Sequence, residues 1–365
     1  NASRRYVVEV TDSPGEPTAV LVARDALALL EGGLAQEAVG FCSDRPILAV
    51  AIEDDPMLAT LSQLARSLPC VTVGVARAGA DLASAPGSIP LDFDILLAEE
   101  EAPPHPWVGC LDLDAALGDL TIAVEEGPTA AIALAQLLRF SVGISLTDAL
   151  TAESFVYSML QSGPLHHQWI ERRGPVAHRQ QPDPAVLSRR KGPSLEVILN
   201  RPQVRNAYDA AMRDELVSLL QLAVADATIT SISLTGAGPA FCSGGDLSEF
   251  GSVPDPVAAH MIRTTRSAAP WLARCAAKTT AIVHGACVGA GTELPAFAAQ
   301  VVARPDATFQ LPEVPMGLIP GAGGTVSLPR RIGRQRTAYM AITGSAIDSK
   351  TALAWHLVDR IEAAP

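Results

Sequence analysis

A chain of 365 residues, 48% hydrophobic with a formal charge of −12, is long enough to bury more than one core. Its acidity works against a nucleic-acid partner. No apolar run approaches about eighteen residues and no basic-then-apolar leader opens the sequence, so neither a membrane span nor a secretory signal is read, and a soluble cytoplasmic protein is expected.

In chain order, Pro46 to Ile52, Pro69 to Val75 and Phe93 to Ala98 read as short buried strands separated by helical stretches. The polar, proline-rich segment from Arg172 to Pro184 is too rich in breakers to be core, and the domain junction is placed there. Beyond it, Ser194 to Asn200 alternates as a strand does, and Ala210 to Ala225 carries apolar residues at helical spacing. Three strand, glycine-turn, helix units follow, which predicts an α/β fold. The first joins Ser231 to Thr235 with a turn through Gly244 and Gly245. The second joins Thr280 to His284 with a turn through Gly291 and a helix over 292–299. The third runs from Ala307 to Leu311 into Ile319 to Thr325 and a helix. Glycine before a helix start allows free N–H groups to point outward, where they bind anions and polarised carbonyl oxygens. The six cysteines lie without metal-ligand spacing, so reduced, mostly buried thiols and no metal site are expected.

Phe241-Cys-Ser-Gly-Gly-Asp-Leu247, Gly285-Ala-Cys-Val-Gly-Ala-Gly-Thr-Glu-Leu294 and Leu311-Pro-Glu-Val-Pro-Met-Gly-Leu-Ile-Pro-Gly-Ala-Gly-Gly-Thr325, in that order, resemble the crotonase (enoyl-CoA hydratase/isomerase) superfamily. The likeness extends through Leu195 to Ala207, similar to the family's opening strand and substrate loop, and through Thr343 to Ala354 and Val358-Asp359, similar to its late helix. It implies a crotonase-type ββα spiral core with a helical cover over residues 193–365. It also implies a substrate carried as a coenzyme A thioester, with no prosthetic group.

The residue roles come from the same resemblance. The N–H groups of Ser243 and Ala290 match an oxyanion hole, worth about 3–4 kcal/mol per donor toward a developing enolate. Glu293 and Glu313 match the catalytic carboxylate pair. Hydration needs one carboxylate to take a proton from water while the α-carbon receives one, and a close pair that resists double ionisation supplies both states. Gly321 matches the position whose N–H orients the water, and Gly291, in the second turn, is assigned with it to positioning substrate or water. Ala207 and Asp246 match cofactor contacts. Alone, Glu293 reads as a helix-start carboxylate, Glu313 as a loop residue facing water, Gly321 to Gly324 as a tight turn and Asp246 as a cap. The basic residues Arg172, Arg173, His178, Arg179, Arg189, Arg190 and Lys191 form either a patch for the CoA phosphates or a solvated linker. His284 reads as structural, and His166-His167 as a surface pair.

The family's helical tail normally follows the Val-Asp element; here Gly127 to Arg139, Thr147 to Tyr157 and His167 to Val176 are similar to it, ahead of the core. The resulting expectation is a degenerate crotonase-like domain over 1–180 whose helices 127–176 cover the second domain, a linker over 181–192 and a catalytic domain over 193–365. The leading reading is an enoyl-CoA hydratase, or the reverse 3-hydroxyacyl-CoA dehydratase. An enoyl-CoA isomerase or another crotonase-type acyl-CoA reaction, and a non-catalytic acyl-CoA-binding scaffold subunit, are the alternatives. The resemblance also implies a homo-oligomer, trimer or hexamer.

Overall fold

The computed structural model describes residues 18–31, 39–43, 45–52, 57–82, 92–177, 184–252 and 255–363. The chain divides into two compact units, Asn1–Pro128 and Thr129–Pro365.

In the first unit β1 (Val20–Leu21), β2 (Ile47–Ala51), β3 (Val71–Ala76), β4 (Ile95–Ala98) and β5 (Val108–Gly109) form one parallel sheet in sequential order. Parallel neighbours need crossovers, supplied here in part by α1 (Ala23–Glu31) and α2 (Met57–Ala65). Every residue of β3 and β4 is buried, which explains why their sequences run apolar instead of alternating. Phe93, Leu61 and Trp107 fill the core. Asp94, also buried, accepts the N–H and the hydroxyl of Thr72, both at 2.8 Å. The helix α3 (Leu113–Glu126) closes the unit.

The second unit opens with α4 (Pro128–Phe140), α5 (Leu146–Gln161) and α6 (Pro164–Arg173). These helices pack among later elements: Ser158 Oγ donates to the Pro256 carbonyl at 3.1 Å, and His166 Nδ1 bonds the Met316 carbonyl at 2.9 Å. The division between units therefore falls at 128/129, ahead of the 172–184 stretch in which the sequence places the junction. Of that stretch, residues 178–183 lie outside the described residues.

A six-stranded sheet follows in the order β14-β11-β9-β8-β7-β6, built from β6 (Val186–Lys191), β7 (Ser194–Leu199), β8 (Ser231–Gly236), β9 (Thr279–Val283), β11 (Gln300–Ala303) and β14 (Arg360–Ile361). Only β6 and β7 pair antiparallel within it. Leu195, Val197 and Leu199 point inward from β7, as the alternation predicts. A second sheet joins β10 (Ala286–Val288), β12 (Thr308–Gln310) and β13 (Ile347–Asp348). The helices are α7 (Ala210–Ala225), α8 (Pro256–Arg266), α9 (Ala269–Cys275), α10 (Ala290–Glu293), α11 (Gly324–Ile332), α12 (Arg334–Thr343) and α13 (Ser349–Ala354). The expected helix over 292–299 is cut short: Pro295 lacks an N–H to continue the ladder, and a 3₁₀ turn, Pro295–Phe297, replaces it.

One buried ion cluster fixes the loop between β7 and α7. Arg201 is fully buried and pairs with Asp209 at 3.0 Å and Asp246 at 2.8 Å, and Asp209 also caps α7 through the Met212 N–H at 2.8 Å. Replacing Arg201 leaves two carboxylates without their cation in a low-dielectric setting. Arg201→Met is expected to lower the unfolding free energy by about 3–5 kcal/mol in urea melts at neutral pH.

Candidate active site

The site grows from the second and third glycine turns. The segment around Cys242 runs beside β10: the Phe241 N–H donates to the His284 carbonyl and the Val288 N–H to the Cys242 carbonyl, both at 2.9 Å. At its end β10 meets Gly289, whose φ of +49° turns the chain into α10. Ala290, the first residue of α10, has an N–H with no protein acceptor among the described residues, the ordinary condition of a helix start. Ser243 differs. Its N–H donates to the Arg205 carbonyl at 2.9 Å and its hydroxyl to the Val204 carbonyl at 3.2 Å. Of the two donors expected to face substrate, one is open and one is occupied. The acceptor lies in a loop pinned by buried Asn206, whose side-chain amide donates to Ala237, Ala240 and Phe241 carbonyls and whose Oδ1 accepts the Arg201 N–H.

The carboxylates converge on the turn before α11. Glu293 is 2% exposed, and its Oε2 accepts the N–H groups of Ala322 and Gly324, each at 2.7 Å. A third carboxylate, absent from the sequence expectations, enters from α5: Glu153, 4% exposed, accepts Gly323 N–H at 2.9 Å, Thr325 N–H at 3.0 Å and Thr325 Oγ at 2.6 Å. Four consecutive backbone donors are thus divided between two glutamates. Glu313 is partly exposed as a residue, yet its Oε2 is buried and has no hydrogen-bond partner. Two glycines make room: a Cβ on Gly289 would lie 2.5 Å from Glu313 Oε1, and one on Gly324 would lie 2.6 Å from Glu293 Cγ.

Ala290, Glu293, Glu313 and Gly321 line one cleft with about 880 Å³ of open space, together with Tyr157 and Arg263. Burial pushes the Glu313 carboxyl up to about 8, with the charge of Glu153 adding to the rise. Burial raises Glu153 to about 7 against the pull of its hydrogen bonds and of Arg263. Glu293 is also raised well above the ordinary glutamate value, by burial first and then by the charges of Glu313 and Glu153. Three buried carboxyls so placed cannot all ionise near neutral pH. Within the Glu293–Glu313 pair, Glu293 accepts two N–H donors that favour its ionised form, and Glu313, whose Oε2 has no partner, is the more natural home of a shared proton.

The other expected site residues are placed as follows. Gly291 packs against the Cys242 carbonyl and does not line the cleft. The Ala207 carbonyl accepts from Arg201 Nη1. Asp246 is committed inside the fold, one oxygen to Arg201 at 2.8 Å and the other to Ser248 N–H and Oγ at 3.0 and 2.7 Å. These bonds tie it to the loop. His166, expected at the surface, is 2% exposed, while His284, also buried, bonds the Gly238 carbonyl at 2.9 Å. Of the basic patch, Arg190 pairs with Asp226 and Lys191 with Glu196, and Arg173 lies over the Trp169 ring. His178 and Arg179 lie outside the described residues.

The profile of the Enoyl-CoA hydratase/isomerase family matches residues 191–364. A Mycobacterium tuberculosis protein named "Probable enoyl-CoA hydratase EchA14" is 37% identical over 173 residues, 47% of this chain and 66% of its own length. The 2,3-dehydroadipyl-CoA hydratase of Escherichia coli is 35% identical over 158 residues, 43% of this chain and 61% of its own. The 1,2-epoxyphenylacetyl-CoA isomerase of Escherichia coli is 32% identical over 178 residues, 47% of this chain and 68% of its own. The chain thus spans just under two thirds of the first of these relatives and just over two thirds of the last. Among solved structures, an enoyl-CoA hydratase from Mycobacterium smegmatis is 31% identical, with a TM-score of 0.46 over 50% of this chain and 71% of that one.

The buried carboxyls make stability depend on pH. Their native values, about 7 for Glu153 and about 8 for Glu313, lie above the ordinary 4.5, so the folded state binds more protons than the unfolded chain between those limits. Unfolding free energy therefore falls as pH rises from about 4.5 to about 8, with raised Glu293 contributing in the same direction. Glu313→Gln removes the Glu313 contribution, and the variant is expected to gain on wild type by on the order of 3 kcal/mol between pH 5 and pH 8.5, read from paired urea melts.

Proposed function

Because the chain belongs to the enoyl-CoA hydratase/isomerase family through residues 191–364, we propose that it adds water across the double bond of a 2-enoyl-CoA thioester, or removes it in reverse. The observation that carries the reading is the pairing of a hydrogen-bonded, charge-retaining Glu293 with an unpartnered, proton-holding Glu313 in one cleft. The thioester oxygen takes the Ala290 N–H, and takes the Ser243 N–H once the Arg205 carbonyl releases it. Negative charge moves onto that oxygen as the enolate forms, where fixed donors are most effective. Water, held between the Gly321 N–H and Glu293, attacks the β-carbon and gives its proton to Glu293. Glu313 delivers its proton to the α-carbon. The pair then holds the same single proton on the opposite partner, and its transfer back completes the cycle.

The helices ahead of the core belong to the same proposal. Residues 129–176 stand in for the family's C-terminal tail, a reading supported by the Glu153 bonds to Gly323 and Thr325 and by the Tyr157 ring packed on Gly321. The first unit is read as a degenerate copy of the core. Its five parallel strands follow one another in sequential order, as β7, β8, β9, β11 and β14 do.

An isomerase reading uses the same groups, and one relative bears that name. The two part at water. With a short 2-enoyl-CoA, the enoyl absorbance is expected to disappear with formation of a 3-hydroxyacyl-CoA, and Glu313→Gln and Glu293→Gln are each expected to lower kcat about a thousandfold. Turnover that leaves product and substrate isomeric would replace hydration with isomerisation.

A further inference from the structure

Glu153 is the buried group that the two-glutamate mechanism does not use. Its carboxylate takes Gly323 N–H, Thr325 N–H and Thr325 Oγ, while Glu293 takes the alternate N–H groups of Ala322 and Gly324. The two side chains therefore grip one turn from two sides, and Gly321, the donor assigned to water, opens that turn. Nearby, Tyr157 of the same helix lies against Gly321. Across from α5, Arg263 on α8 donates to Ser154, Ser158 and Gln161 and lies 4.4 Å from the centre of the Tyr157 ring. His260, also on α8, bonds Ser154 Oγ at 2.8 Å.

We propose that Glu153 is a positioning residue for the reaction: it fixes the conformation of residues 321–325 and, through that turn, aims the Gly321 N–H and the Glu293 carboxylate at the substrate water. This rests on the hydration reading for its chemistry and on hydrogen bonds alone for its geometry. It also gives the helices ahead of the core a function beyond covering a surface, since one of them supplies a side chain on which the catalytic turn depends.

A purely structural carboxylate would stiffen the turn and do nothing else. Glu153 also faces the acidic pair as a like charge, raising both Glu293 and Glu313, while Arg263 partly offsets that charge. Tyr157, itself raised by burial, stays neutral in the working range, so the charged groups facing Glu153 are Glu293, Glu313 and Arg263, with His260 one residue removed through Ser154. Glu153 ionises near 7 and Glu313 near 8, so its charge is present where the proton on Glu313 is lost. Removing the charge eases ionisation of the pair.

The test compares wild type with Glu153→Gln, which keeps volume and loses the ionisable group, and with Thr325→Val, which removes one donor to Glu153 and keeps its carboxyl. In hydration assays on crotonyl-CoA, Glu153→Gln is expected to lower kcat by about 10- to 100-fold with KM changed less than about threefold. The alkaline limb of its kcat/KM profile is expected to move to lower pH by about half a unit or more, while Thr325→Val lowers kcat with a smaller shift of the limb in the same direction. An infrared titration of the protonated carboxyl band, assigned by its loss in Glu313→Gln, is expected to show the same shift without any turnover. A limb and a carboxyl band that stay in place in Glu153→Gln, or an unchanged kcat in a variant that melts as wild type does, would overturn the proposal. If wild type hydrates no enoyl-CoA, the functional reading fails, and the infrared titration still decides the role of Glu153.

Discussion

The second unit depends on how the backbone N–H groups at the start of α11 are satisfied. A helix start leaves its first N–H groups without intrahelical partners. Here four successive donors, from Ala322 to Thr325, go to two buried glutamates, Glu293 and Glu153, that are far apart in sequence. Burying carboxylates is costly unless donors are provided, and leaving donors unmet is costly as well. Each half of the arrangement answers the other. Glu313 stands outside it, with a buried Oε2 that has no hydrogen-bond partner. In the proposed mechanism, the different roles of two chemically identical side chains follow from which of them receives backbone hydrogen bonds.

Local patterns made much of the core legible. Strands β7, β8 and β9 alternate or run apolar between turn residues, and α7 begins at an aspartate cap, so their positions follow from side-chain period and capping chemistry. Strands such as β1, β5 and β13, two residues each, carry no period and exist only because a longer neighbour pairs with them. The glycine blocks announced the site because glycine is the one residue whose absence of a side chain leaves room for Glu313 at Gly289 and for Glu293 at Gly324.

Other features depended on long-range partners. Asp246 reads as a cap or a cofactor contact until Arg201 is known to be buried beside it. Ser243 reads as a free donor until the Arg205 carbonyl is found against it. Glu153 did leave one trace: with Ala149 four residues before it and Leu160 seven after, it sits on the buried stripe of α5, where a glutamate needs buried donors. Those donors lie 170 and 172 residues away, and no window along the chain contains both ends. The same separation explains why α4, α5 and α6 belong with the second compact unit although a breaker-rich stretch divides them from β6 in sequence.

The most direct test of proton delivery from Glu313 and water activation by Glu293 is turnover of crotonyl-CoA in deuterium oxide, with mass spectrometry locating the label. The expected product is a 3-hydroxyacyl-CoA that carries the oxygen of water and a single deuterium fixed at the α-carbon, with none of it formed by Glu313→Gln on the same timescale. A product isomeric with the substrate, or an α-carbon labelled without any addition of oxygen, would contradict it.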